Sequence, residues 1–236
     1  MTDFWIALAL FAGIFLQGVV GFGMALVAMP LLAIFVDIST AAPLIALTGI
    51  LAKVLLLAYY RREVSFKPVL GLSAASLVFI PVGVIALKYL NKELSLAILG
   101  IVIVGYALYS LFDFRLPDFD RPFWMVLFGS IGGFLGGAFN TAGPPVIIYA
   151  NTKDWTPQEF KSNLQGYALI TGIFTVVSHW LNGNLTPEVR HGFVVSIPAA
   201  VLAVIAAVSL DRFINKEIFR TAVLVVLLGL GIKLVF

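Results

Sequence analysis

Two short stretches hold most of the residues in this 236-residue chain that could grip a ligand: "QGVVGFGM" at 17–24 and "GGAFNTAGPP" at 136–145. The first offers Gln17, Gly21, Phe22 and Gly23; the second offers Gly136, Gly137, Asn140, Thr141, Gly143 and Pro144. None of these side chains is charged. The chemistry they suit is anion binding by neutral donors: free backbone N–H groups where a helix begins, aided by the positive end of its dipole. Glycine permits the turn and a close approach of backbone to ligand. Pro144 and Pro145 suit a first helical turn, where a missing N–H costs nothing. Gln17, Asn140 and Thr141 add side-chain donors. Tight helix packing through small residues would also explain the glycines, and both roles can coexist.

Lys53 is the one basic residue well inside an apolar stretch. An intramembrane charge is costly and is a functional candidate by default. Lys53 either meets the anion or extends its ammonium towards the membrane surface near Tyr60. Gln165 either lines a pathway or bonds between helices. His179, beside Trp180 near the end of an apolar stretch, reads as interfacial, and His191 as solvated. Trp5, Trp124, Trp155 and Trp180 read as belt anchors at the membrane surface. Ser178 and His179 are adjacent and face different ways on a helix, so they form no nucleophile–base pair. Cysteine is absent, which excludes thiol catalysis and thiolate metal sites. No G-x-x-x-x-G-K-S/T loop is present, so the chain has no ATP-hydrolysing motif. Catalytic residues, metal ligands and cofactors are therefore not expected, and the chain does not read as an enzyme.

These residues must be positioned by membrane helices. The chain is 61% hydrophobic and 11% charged, against about 25% charged residues in a soluble domain. It is expected to be an all-α integral membrane protein with no separate soluble domain. The net charge of +3 points to basic cytoplasmic loops rather than to nucleic acid. The N-terminus lacks the basic region of a signal peptide, so Phe4 onward reads as mature structure.

Polar punctuation divides the chain into eight apolar stretches. Six have the length of about 20 residues that spans a bilayer. The first (4–36) and fifth (122–150) are too long to be single straight spans, and both contain a glycine-rich break. Gly18 falls on Gly133, Gly21 on Gly136 and Pro30 on Pro145 when the chain is shifted by 115 residues. The "IP" pairs at 80–81 and 197–198, and "NKE" at 91–93 and 215–217, follow in the same order. Two repeats are expected, residues 1–112 and 122–236, joined by a cytoplasmic linker at 113–121.

Charge counting separates two topologies. If each broken stretch crosses once, Lys and Arg outside the spans divide seven to seven. If each is a hairpin that leaves where it entered, they divide ten to four, as the positive-inside rule requires. Each half then makes three full crossings, an odd number that inverts the second half. The expected fold is two inverted repeats, each a broken, re-entrant helical hairpin followed by three transmembrane helices. Hairpin arms of roughly 13 residues or fewer are expected, too short for the ~20 of a full span. Both termini fall on the outer, periplasmic side of a bacterial-type inner membrane.

The motifs "GFGMALVAMPLL" (21–32) and "GGAFNTAGPPVIIY" (136–149), each at the start of a half, resemble the paired glycine-rich motifs of the sulfite exporter TauE/SafE family of membrane transporters. The resemblance covers essentially the whole chain. It implies transport of small anions, chiefly sulfur oxyanions and organosulfonates, with carboxylates for some members. The expected partners are thus a small anionic substrate and the lipid bilayer; a homodimer is compatible with this reading. The expected mechanism is alternating access around a midplane site formed by the two breaks. The alternative is an anion channel whose fixed pore is formed by the same hairpins.

Overall fold

The computed structural model describes residues 2–59, 66–112, 117, 119 and 121–235. Arg61, Arg62 and Arg115 of the charge count lie outside the described residues. Those described are 84% helical overall with no strand among them. Seven helices are long and apolar enough to cross a membrane.

The first broken stretch forms α1 (Thr2–Val20) and α2 (Met24–Leu32). A methyl group placed on Gly13 would lie 2.6 Å from the Met24 carbonyl oxygen and 2.9 Å from the Ala28 side chain. In one straight helix residues 13 and 24 would be about 16 Å apart, so the chain has doubled back between them. Trp5 stacks on Phe35 with ring centroids 5.6 Å apart, which returns the chain to its starting level. After α3 (Ile38–Tyr59), α4 (Phe66–Tyr89) and α5 (Lys92–Leu111), the plan recurs. The second stretch forms α6 (Pro122–Phe139) and α7 (Gly143–Ala150). A methyl on Gly132 would lie 2.9 Å from Val146, and Lys153 Nζ donates to the Phe119 carbonyl at 3.0 Å. This hairpin too returns to its start. The chain ends with α8 (Pro157–Leu181), α9 (Pro187–Leu210) and α10 (Lys216–Val235).

The arms differ from expectation in being unequal. The first arms have 19 and 18 residues and the second arms 9 and 8. Each first arm is long enough to cross a membrane by itself, so only the second arms are half-length. The breaks come late because the glycines at 18, 132 and 133 stay helical; the chain turns only at Gly21, with φ 94°, Gly23, with φ 97°, and Asn140, with φ 56°.

The most extensive helix pairings persist when the two halves are exchanged, whereas α2 packs on α3 with no comparable packing of α7 on α8 among the described residues. α1 packs on α9 and α6 on α4; α3 packs on α9 and α8 on α4; α3 meets α8, and α5 meets α10. At one end of the bundle Asp37 pairs with Lys92 at 3.5 Å, His191 with Asp3 at 3.2 Å, and Lys88 donates to the Asn182 carbonyl at 2.5 Å. These contacts gather the N-terminus and the loops at 33–37, 90–91 and 182–186. A stretch that crossed only once would put residues 5 and 35 at opposite ends, against the Trp5–Phe35 stack.

The glycines of "GSIGGFLGG" (129–137) divide between two faces of α6. Gly129, Gly133 and Gly137 lie four residues apart and face α4. A methyl on Gly133 would strike the Ser76 carbonyl, and one on Gly137 the Ile80 carbonyl. Backbone thus packs on backbone, the close approach that small residues permit in membranes. Gly132 and Gly136 face α7 instead, where a methyl on Gly136 would lie 3.1 Å from Ala142.

Candidate functional site

A cavity of about 100 Å³ lies between the two hairpin turns, α3 and α8. Of the residues expected to bind ligand, Gln17, Gly21, Phe22, Gly23, Lys53, Gly136, Asn140, Thr141 and Gly143 line it. Three do not. Gly137 serves the α4 contact described above. Pro144 is buried in the first turn of α7. Gln165 stands behind the first turn and donates from Nε2 to the Gly21 carbonyl at 2.8 Å.

The two turns are held by one side chain each. Asn140 Nδ2 donates to the Ala42 carbonyl of α3 at 2.6 Å, matching the Gln165–Gly21 bond at the other turn. The turns do not meet tip to tip. Asn140 touches α3 at residue 42, whereas Gly18, next to the first turn, packs on Leu56, about 21 Å further along that helix. Long first arms carry each turn past the middle. What the two halves bring together is the start of α2, at Met24, Ala25 and Leu26, and the start of α7, at Ala142 and Gly143. Their polar equipment differs. Pro144 and Pro145 remove two N–H groups from the first turn of α7. Thr141 stands beside them, buried, with an Oγ1 that has no hydrogen-bond partner among the described residues.

Lys53 extends into the cavity wall rather than to the end of the bundle. Its Nζ is 2.8 Å from where a methyl on Gly172 would be, and 3.8 Å from the equivalent point on Gly49. It has no hydrogen bond or ion pair among the described residues. The side chain has room because two glycines, one on α3 and one on α8, leave it a slot.

The sequence reading missed the α8 wall. Leu164, Tyr167, Ala168, Thr171, Gly172 and Thr175 line the cavity in helical 3–4 spacing. The signal was present: α8 is 25 residues long yet is not among the seven helices apolar enough to span by composition. A helix that turns one face to a polar cavity needs fewer apolar residues. The hydroxyls on this face are already engaged. Thr171 donates to the Tyr167 carbonyl at 2.7 Å and Thr175 to the Thr171 carbonyl at 2.8 Å. Ser76 Oγ lies 2.7 Å from the Gly129 carbonyl and 2.8 Å from the Tyr167 hydroxyl. Carbonyls only accept, so the single proton of Ser76 goes to a carbonyl and Tyr167 donates to Ser76.

His179, two residues from the end of α8, is fully buried, with Nδ1 3.0 Å from Asn184 Nδ2. The turn after α8 folds over it, and Asn184 donates its backbone N–H to the His179 carbonyl at 2.9 Å. Trp5 and Trp180 are exposed, and Trp124 and Trp155 pack against the core, Trp124 stacking on Phe119 at 4.5 Å. His191 is exposed beside Asp3.

Comparison with known proteins fits this architecture to a family. The family model described as "Sulfite exporter TauE/SafE" matches residues 5–234. The chain belongs to the sulfite exporter TauE/SafE family. It is 24% identical over 230 residues to a protein of Cupriavidus necator (strain H16) described as a probable sulfite/organosulfonate exporter TauE, covering 94% of this chain and 90% of that one. No solved structure matches. Members of the TauE/SafE family are membrane transporters, not enzymes, and the helices of this one make it a multi-pass membrane protein.

Proposed function

We propose that the protein exports small sulfur oxyanions and organosulfonates across a bacterial-type inner membrane by alternating access around the cavity between the hairpins. The observation that carries this reading is the composition of that cavity. One break from each half, two helix starts and an unpaired lysine converge there, in a chain whose family transports solutes. The Cupriavidus relative's description supplies the substrate class.

In this reading residues 1–112 and 122–236 are inverted repeats joined by a cytoplasmic linker at 113–121, with both termini outside. The persistence of the most extensive helix pairings on exchange of the halves supports it, and so does the ten-to-four charge division. The anion is held by Lys53, by Gln17 and Thr141, and by the N–H groups at the starts of α2 and α7. Gly21, Gly23, Gly136 and Gly143 keep the backbone open to it. Irregular backbone at membrane depth is tolerated where it lines such a cavity. Rocking of one half against the other opens the cavity first to the cytoplasm and then outside. A negative cell interior alone drives an anion outward.

The test is efflux from proteoliposomes loaded with sulfite or a simple alkylsulfonate. Saturable efflux, lowered by Lys53→Gln and by Thr141→Val, is expected. Efflux that rises without saturation would favour a fixed pore, and efflux indifferent to both substitutions would remove the cavity from the mechanism.

A further inference from the structure

We infer that the cavity accepts its substrate as a monoanion: a sulfonate or hydrogensulfite, but not the sulfite dianion. The inference rests on the transport reading above and concerns the charge state that the site selects.

Lys53 is the only Lys, Arg, Asp or Glu on the cavity wall among the described residues. The helices packed around α3 are α1, α2, α6, α8 and α9, and they turn one other titratable group to the cavity, Tyr167, whose proton is engaged by Ser76. The other ionisable groups of these helices among the described side chains stand elsewhere. Asp3 and His191 pair at one end of the bundle, with Glu188 and Arg190 in the first turn of α9. Glu159 caps the start of α8, and His179 is held by Asn184 near its end. Among the described residues the wall therefore carries a single basic group, which supplies one positive charge when protonated.

The neutral donors do not supply a second. Thr171 and Thr175 spend their protons on carbonyls one turn back, so the α8 wall presents oxygen lone pairs. Gln17 and Thr141, both buried, and the N–H groups at the starts of α2 and α7 remain; these are neutral dipoles and add no full charge. A monoanion beside Lys53 makes the occupied cavity neutral. A dianion leaves one full negative charge without a counter-ion in a low-dielectric setting, where an unpaired charge costs far more than neutral hydrogen bonds return.

The experiment uses the purified protein in proteoliposomes with an imposed membrane potential. Efflux of sulfite, an alkylsulfonate and sulfate is followed from mildly acidic to mildly alkaline pH, together with the charge moved per molecule. Hydrogensulfite loses its proton near neutrality, so sulfite efflux should fall with pH, approaching roughly tenfold per unit on the alkaline side. The alkylsulfonate is a monoanion throughout, so its efflux should stay flat. This arm separates titration of the substrate from titration of the protein. Sulfate should not be carried, and one charge should move per molecule. Lys53→Gln should lower both productive fluxes about ten- to hundredfold. Sulfite efflux that is flat or rises with pH, transport of sulfate, or two charges per molecule would overturn the inference while leaving the exporter reading standing. No flux of any of these anions would overturn the exporter reading and this inference with it.

Discussion

Gln165 on α8 and Gly21 in the first turn, 144 positions apart, are joined by a 2.8 Å hydrogen bond from the glutamine amide to the glycine carbonyl. The bond ties the turn of one half to a helix of the other. Gln165→Met keeps roughly the size and removes the donor. It leaves the part-buried Gly21 carbonyl without this partner, at a cost of about 1 kcal/mol. A lower melting temperature in detergent is expected; a wild-type melting curve would show that the bond contributes nothing.

Asn140 does two things at once. Its backbone sits at φ 56° and its side chain donates to Ala42. Asn140→Gly keeps the backbone comfortable and loses the bond, whereas Asn140→Ala loses both. The alanine variant should therefore be less stable than the glycine variant by about 1 kcal/mol, read as the difference in denaturation midpoint. Equal stabilities would mean that the left-handed conformation carries no cost here.

The α4–α6 contact predicts a contrast between two glycines. Gly133→Ala drives a methyl into the Ser76 carbonyl, while a methyl on Gly105 meets nothing within 4 Å. The first should cost about 1–3 kcal/mol through overpacking. The second, exposed on a helix, should be neutral or stabilise by up to about 1 kcal/mol. Thermal unfolding of the two variants side by side decides it.

Because the chain has no cysteine, single cysteines report topology without background. Asp37→Cys, Lys92→Cys and Asn184→Cys should all react with an impermeant thiol reagent added outside. Asp154→Cys and Arg212→Cys should react only after permeabilisation. Labelling of position 184 from the opposite side to position 37 would break the proposed arrangement.

Much of the fold was legible because membranes constrain helices so strongly. Length and composition located the long helices, and the charge division chose the hairpin, which the Trp5–Phe35 stack matches. The arm lengths were not legible. Gly18, Gly132 and Gly133 look like breaks in a sequence, yet each is helical because its missing side chain admits a neighbouring helix. Only contacts distinguish that use of glycine from the use at Gly21 and Gly23, where φ is positive. The α8 wall was hidden for a related reason. Threonines that bond back to their own helix look like ordinary helix residues until the helix's neighbours are known. Lys53 was visible as a charge in an apolar stretch, but the slot between Gly49 and Gly172 that admits it depends on two helices more than a hundred residues apart.

The packing of α1 on α9 has a consequence for how the protein is made. Gly18 rests against Ala207, and α9 does not begin until Pro187. The ribosome therefore delivers the first hairpin long before the helix that covers it, and the hairpin must wait in the membrane with that face against lipid or insertion machinery. The second hairpin meets no such delay, since α4 is already in place when α6 emerges. Biogenesis of two similar halves is in this respect asymmetric: the first hairpin is the last to be sealed, and loss of α9 would strand it.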